Sequence, residues 1–425
     1  MARRCALLLA GLLATGGPAA AQGGACTALA QATFVRDTLD ELYLWYRDLP
    51  DLDPARFASP EALLDAARYR PLDDTFSYIT SRTASDAFFD ESRFVGLGLT
   101  TSLVGGVLGV LQVFDGGPAA DAGLDRGTRI DAIDGVSVDE LVAGGTLDAA
   151  FGPAQDGLAV GLRFTTRTGE RREATLRKRP VTIPTVSLTR VFLVDGRRVG
   201  YLFFRNFVRP SVAALDEAFA ALAAAGVDEL VIDLRYNGGG LVDVAVHLAG
   251  LVGGRPVQDQ VFAQSRHNDR NRRLDETLRF GAQSRTLALK RLVAITTRAT
   301  ASASELVING LRPFVPVVTV GQRTYGKPVG QYALPFCDKV FAPVSFAMTN
   351  ADGRGGYFDG LPADCPAADD TSHDLGDAAE ASLAEALTVA VTGSCSSTPA
   401  VRALRGGGAP PAGAATGWLA LVNAR

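Results

Sequence analysis

The sequence predicts a multidomain α/β protein: a helical N-terminal segment, a β-rich domain, and an α/β core on a largely parallel sheet. Three observations carry this. Across residues 181–397 short apolar strand-like runs alternate with amphipathic stretches, the order that a parallel sheet covered by helices requires. Residues 93–180 instead carry closely spaced β-like runs and glycine turns. Residues 22–92 place apolar side chains at helical spacing. At 425 residues the chain has room for two to four domains. Residues 1–21 form a leader and residues 398–425 a tail.

The leader has the pattern of a secretory signal. Arg3 and Arg4 precede an apolar stretch over residues 5–13, and Ala19-Ala20-Ala21 before Gln22 is a cleavage site. The stretch is too short to span a bilayer. The expected location is therefore exported, periplasmic or secreted. In the N-terminal segment Phe34, Leu39, Leu42, Trp45 and Tyr46 share one helical stripe, and their aromatic rings read as packing. Ser59-Pro60-Glu61 starts a second helix, with serine as cap and proline in the first turn.

In the β-rich domain, residues 107–113 form a strand, and Gly117-Pro118-Ala119-Ala120 opens a short helix stopped by Gly123. Asp134-Gly135 marks a hairpin, and two more strands flank Thr168-Gly169. The core reads as strand 199–204, helix 212–224, buried strand 230–235, helix 241–251, strand 292–296, helix 302–311 and strand 315–320. Residues 329–336 are strand-like, and residues 268–273 read as an exposed charged loop. The Gly-, Ala- and Pro-rich residues after Pro399 read as a flexible tail with an apolar patch over residues 417–422.

Hydrophobic content is 47% and charged content 21%, within the globular range. A formal net charge of −4 implies no large basic surface, so nucleic acid is not an expected partner. Removal of the leader takes Cys5 and leaves Cys26, Cys337, Cys365 and Cys395, an even number that favours two disulfides in an exported chain. Three pairings are open. The favoured one joins Cys337 to Cys365 in a local loop and Cys26 to Cys395 across the chain ends.

The chemistry concentrates in residues 300–331. Ser302 starts a helix, and Glu305 three positions on makes a capping box, which alone explains the tetrad. The same geometry suits a nucleophile. A serine where strand turns into helix lies beside unpaired backbone N–H groups and the positive end of the helix dipole. The Ala303 N–H is then an oxyanion donor, and Ser304 is an alternative nucleophile. Lys327 stands out because the 42 basic residues include only Lys178, Lys290, Lys327 and Lys339 as lysines. A buried lysine can give up its proton, whereas arginine cannot.

Gly321 to Lys327 also fits the opening of a phosphate-binding loop. Pro328 replaces the required Ser or Thr and a strand replaces the helix, which excludes nucleotide binding there. The cluster Asp233-Leu234-Arg235-Tyr236-Asn237-Gly238-Gly239-Gly240 lacks dinucleotide spacing. It reads as a tight strand-to-helix turn, or as a second oxyanion donor from Gly238 or Gly239. His247, His267 and His373 lie in no metal spacing, so neither metal nor cofactor is expected.

Together Thr300-Ala301-Ser302-Ala303-Ser304-Glu305, Gly326-Lys327 and Gln331 resemble the carboxyl-terminal processing (tail-specific) serine peptidases, and the cluster at residues 233–240 resembles that family's second signature. The resemblance spans most of residues 30–395. It implies Ser302 as nucleophile, Lys327 as general base, Gln331 as the residue orienting the amine, and Ala303 with Gly238 or Gly239 as the oxyanion hole. It makes residues 93–180 a PDZ-like peptide-binding domain whose carboxylate loop is Val95, Gly96, Leu97, Gly98 and Leu99. It makes 181–397 a Ser-Lys protease domain, and 22–92 a cap or a segment for homo-oligomerisation. Protein or peptide substrates held by their C-terminal tails are the implied partners. Two positions depart from the pattern: Pro313 stands where some members carry an acid, and Pro328 where many carry glycine. The rival readings are an inert peptide-binding protein on a hydrolase fold, and an esterase or amidase for small molecules.

Overall fold

The computed structural model describes residues 26–287 and 289–396. The leader and the Gly-rich tail lie outside these residues.

The core is a six-stranded sheet. Its spatial order is Val186–Val194, Arg197–Phe204, Glu229–Asp233, Leu292–Thr296, Val317–Gly321 and Cys365–Pro366. The first pair is antiparallel and every later pair is parallel. Both faces are covered, which is why these strands read as unbroken apolar runs. Leu202, Phe204, Leu230, Ile232, Leu292 and Ala294 pack under the helices Ser211–Ala224, Val242–Gly253 and Ala303–Leu311. The alternate residues Tyr201, Phe203, Val231, Val293 and Ile295 face the helix Ala381–Thr392.

Residues 93–182 form a separate antiparallel unit with its own core, in which Leu97, Leu99, Val110, Ile130, Leu162 and Phe164 are buried. Entry and exit strands, Arg93–Gly96 and Arg179–Thr182, pair with one another, so both connections leave from one place. Asp134 and Gly135 both have positive φ (46° and 84°) at the turn that their sequence predicts.

The N-terminal segment is less purely helical than its periodicity suggests. After the helices Ala28–Leu42 and Pro60–Ala67, Tyr78–Ser81 becomes a strand paired antiparallel to Lys339–Ala342. Four residues carry too short a pattern to reveal a strand whose partner lies far along the chain. The charged loop at 268–273 is also not simply exposed. Asn268 and Asn271 are buried and donate to the carbonyl of Glu41, while Arg47 pairs with Asp269 at 2.7 Å. The loop seats the first helix.

The disulfides differ from the favoured pairing: Cys26 joins Cys337 and Cys365 joins Cys395. The first helix packs on the hairpin that carries Cys337, with Phe34 stacked on Phe336 at 4.9 Å, which brings Cys26 within a Cα separation of 6.0 Å. Cys365 sits on the edge strand beside the helix Ala381–Thr392, whose far end leads to Cys395. Proximity in sequence misled because Cys337 and Cys365 belong to different sheets. Replacing Cys26 and Cys337 by serine is expected to lower the thermal midpoint, reflecting a loss of about 2–5 kcal/mol from releasing so long a loop. An unchanged melting curve under reducing and oxidising conditions would contradict this.

Candidate active site

Three neighbouring parallel strands end at one place. The glycine turn 238–240 follows Glu229–Asp233, Ser302 follows Leu292–Thr296, and Lys327 follows Val317–Gly321. The crevice beyond the C-terminal ends of such strands is where open α/β sheets build their sites.

Ser302 caps the helix Ala303–Leu311 with φ 54° and ψ −114°, a strained conformation for a residue with a side chain. Hydrogen bonds on both sides hold it. Ala301 N–H and the Ser304 hydroxyl donate to the Asn237 carbonyl (3.0 and 3.1 Å), and the Thr300 hydroxyl donates to the Leu234 carbonyl at 2.8 Å. Ser304 is fully buried by this bond, whereas Ser302 is half-buried. Gly239 is pressed against the serine: a Cβ there would lie 2.8 Å from Ala303 N and from Ser302 Cβ. Only glycine allows the two turns to approach so closely.

Glu305 ties the Ser302 turn to the Lys327 turn. Its buried carboxylate takes Ser302 N–H (2.9 Å) and Lys327 N–H (2.8 Å) on one oxygen, and Gly326 N–H (2.8 Å) with the Thr324 hydroxyl (2.5 Å) on the other. The backbones of Ser302 and Lys327 are thus held to a single atom. Tyr325 N–H adds a bond to the Thr300 carbonyl at 2.9 Å. Gly326 has φ 103° and lies against the Phe358 carbonyl, leaving no room for a side chain. Burial pushes the Glu305 carboxyl above its ordinary range, and its hydrogen bonds oppose that shift.

Lys327 is 2% exposed. Burial pushes its amine well below the ordinary lysine range, and the charges of Asp73 and Glu305 act against that. Its Nζ donates to Gln331 Oε1 at 2.5 Å and lies 5.8 Å from the Phe76 ring centroid. Gln331 is itself fixed, since its amide N–H groups donate to the carbonyls of Phe76 (2.5 Å) and Ala342 (3.2 Å), leaving its oxygen toward the amine. The strand Val329–Gln331 slips register at Gly330/Gln331, a bulge of the kind that re-aims a side chain. Among the other lysines, Lys178 is buried but bonded to the carbonyls of Gly152 and Pro153, and Lys339 pairs with Glu61.

At the glycine turn, Gly239 donates its N–H to Asn237 Oδ1 at 2.9 Å. Arg235 is buried in a network with Asp233, Glu380 and Asp369, so the charges of that signature brace the turn. Val95 to Leu99 lie where entry strand passes into the β-rich sheet: Leu97 and Leu99 point into its core, and the Leu97 and Gly98 carbonyls accept from Ala119 and Phe114. Each histidine has a carboxylate partner: Asp216 for His247, Asp275 for His267 and Asp370 for His373. Sequence reasoning missed Phe76, and gave Glu305 only half its role. Neither sequence position signals a contact made across the fold.

A model for peptidase family S41 matches residues 198–365, and one for the N-terminal domain of that family matches residues 30–78. The chain belongs to peptidase family S41. Among its S41 relatives, the chloroplastic C-terminal processing peptidase of Tetradesmus obliquus is 29% identical over 282 residues, covering 63% of this chain and 59% of that protein. The carboxy-terminal processing protease CtpB of Bacillus subtilis is 28% identical over 335 residues, 75% of this chain and 65% of that one. The chain thus spans less than two thirds of these relatives' length. A candidate S41 protease from Bacteroides fragilis has a crystal structure that superposes with a TM-score of 0.67 at 27% identity, covering 84% of this chain and 96% of the other. The photosystem II D1 C-terminal processing protease shares the fold, with a TM-score of 0.50 at 23% identity. Among the described residues no helix is long and apolar enough to cross a membrane.

Proposed function

We propose that this S41 member is an exported serine endopeptidase that cleaves proteins near or from their C-terminal tails through a Ser-Lys dyad. The observation that carries the reading is the Glu305 carboxylate oxygen that holds the backbones of Ser302 and Lys327 together, with Lys327 buried and aimed by Gln331. Burial lowers the pKa of the Lys327 amine, and its neutral form is a base rather than a counter-ion.

In this reading Lys327 Nζ takes the Ser302 hydroxyl proton as Oγ attacks the scissile carbonyl carbon. The oxyanion is received by the N–H of Ala303 and by the glycine turn. Gly238 or Gly239 supplies the second N–H of that oxyanion hole. The tetrahedral intermediate collapses, the C–N bond breaks, and the Lys327 ammonium protonates the leaving amine. Lys327 then deprotonates water, which attacks the acyl ester and restores the serine. The unit at 93–180 acts as a PDZ-like domain, and the loop at residues 95–99 takes the substrate carboxylate with strand addition beyond it. Residues 1–21 direct export, consistent with two disulfides among the described residues. The N-terminal segment serves as a cap and supports the base through Phe76.

Ser302→Ala is expected to abolish cleavage of an unfolded protein substrate, with the melting curve retained, and to remove labelling by a fluorophosphonate. Cleavage at the wild-type rate in that variant would mean another nucleophile, and no cleavage by the wild type itself would leave the inert peptide-binding reading.

A further inference from the structure

Tyr236 lies two residues before the glycine turn and has φ 62°, a left-handed conformation rare for an aromatic residue. Strain of this kind persists only where surroundings over-determine it. Both polar ends of Tyr236 are gripped by guanidinium groups. Its hydroxyl takes a bond from Arg126 Nη1 at 2.6 Å and lies 2.7 Å from an Asp369 oxygen. Its carbonyl takes a bond from Arg205 Nη1.

Arg126 belongs to the unit 93–182, yet it is 6% exposed and bonds across to Asp369 (2.7 Å) and to the His373 carbonyl (2.9 Å). Arg205 is fully buried, no carboxylate among the described residues pairs with it, and burial lowers its pKa to about 10. Its Nε has no hydrogen-bond partner among the described residues. Its guanidinium lies over the Phe114 ring and 3.5 Å from the Thr100 hydroxyl, both in the same β-rich unit. A buried arginine without a counter-ion is costly, and this one lies between the β-rich unit and the Tyr236 carbonyl.

From Tyr236 the path to the chemistry is short. The next residue, Asn237, accepts Gly239 N–H on its side chain, and Ala301 N–H and the Ser304 hydroxyl on its carbonyl. A displacement of Asn237 would therefore move the glycine turn and the Ser302 turn together.

We propose that Tyr236 is a positioning residue for the reaction: Arg126 on its hydroxyl and Arg205 on its carbonyl make docking of the β-rich unit set the glycine turn that receives the oxyanion. The proposal rests on the peptidase reading. Misplacement of an oxyanion donor acts on the transition state more than on substrate binding.

The test compares Tyr236→Phe, Arg126→Gln and the double variant in the full chain, using a chromogenic peptide ester too short to span both units. Each single variant is expected to lower kcat by about 10- to 100-fold with KM within about twofold. The double variant should be no worse than the poorer single one, because both act through one hydroxyl. Titration with a fluorophosphonate should show that all molecules still label, only more slowly. Unchanged kcat in both single variants, or loss explained by a reduced labelled fraction, overturns the proposal. If Arg126→Gln fails to fold, Arg126→Lys is used, which keeps the charge and must fall between wild type and Tyr236→Phe in kcat. Failure of the peptidase reading looks different, since either the wild type would not turn over the substrate or Ser302→Ala would keep its activity.

Discussion

Replacing Lys327 by arginine lowers peptide cleavage by about 10⁴-fold or more, the loss expected when the base of a nucleophile–base pair is removed. The substitution keeps a positive charge at the position, so the result separates a base from a counter-ion. Arginine cannot lose its proton in a protein, whereas the Lys327 amine, 2% exposed, is pushed well below its ordinary range by burial. The sign of the pH dependence follows. With Lys327 as the proposed base the active form is the neutral amine, so kcat/KM is expected to rise with pH to a plateau through one ionisation. That rise is centred below the ordinary lysine value of about 10.4. Stability has the same sign. Between the depressed folded pKa and the unfolded one, the unfolded chain binds more protons, so stability rises with pH across that window. Lys327→Met, which removes the charge but keeps the length, should match arginine in activity and weaken the stability slope. Activity retained in Lys327→Arg, or a rising limb centred at the ordinary lysine value, would count against the base.

The parts of this protein legible in sequence are those specified locally. The strands Leu292–Thr296 and Val317–Gly321 read as apolar runs because helices cover both faces of their sheet. Ser302 read as a helix start because capping chemistry acts within four residues. Lys327 was conspicuous because arginine fills nearly every other basic position. What escaped was specified at long range. The Phe76 carbonyl that fixes Gln331 lies 255 positions away in sequence, and no local pattern marks a carbonyl as an acceptor. The first disulfide closes over 311 positions, and its geometry is set by a helix packing on a hairpin rather than by spacing. Asn268 and Asn271 looked like loop residues because their acceptors, the carbonyls of Glu41 and Tyr43, carry no side-chain signature.

Glu305 joins the two kinds of information, and its substitution is the second large effect. The capping pattern foresees one of its bonds, to Ser302 N–H; the other three reach the lysine turn. In Glu305→Ala four donors lose their acceptor, three of them buried, at about 1–3 kcal/mol for each buried one that finds no substitute. The turns carrying Ser302 and Lys327 also lose their common tie. Activity is expected to fall by about 10²-fold or more, as for a misplaced catalytic group, with a lower melting temperature. Glu305→Gln is milder and more informative. With its oxygen toward Ser302 and Lys327 it keeps both of those bonds, but its NH₂ then opposes the Gly326 N–H. The opposite orientation sets NH₂ against both Ser302 and Lys327 N–H. It also removes a negative charge that favours the protonated amine of Lys327. The rising limb of the pH profile should therefore move to lower pH in Glu305→Gln, even as the plateau rate falls. A limb that stays in place while the plateau drops would mean that Glu305 acts on geometry alone. A limb that moves to higher pH would contradict the charge arrangement from which the base is argued.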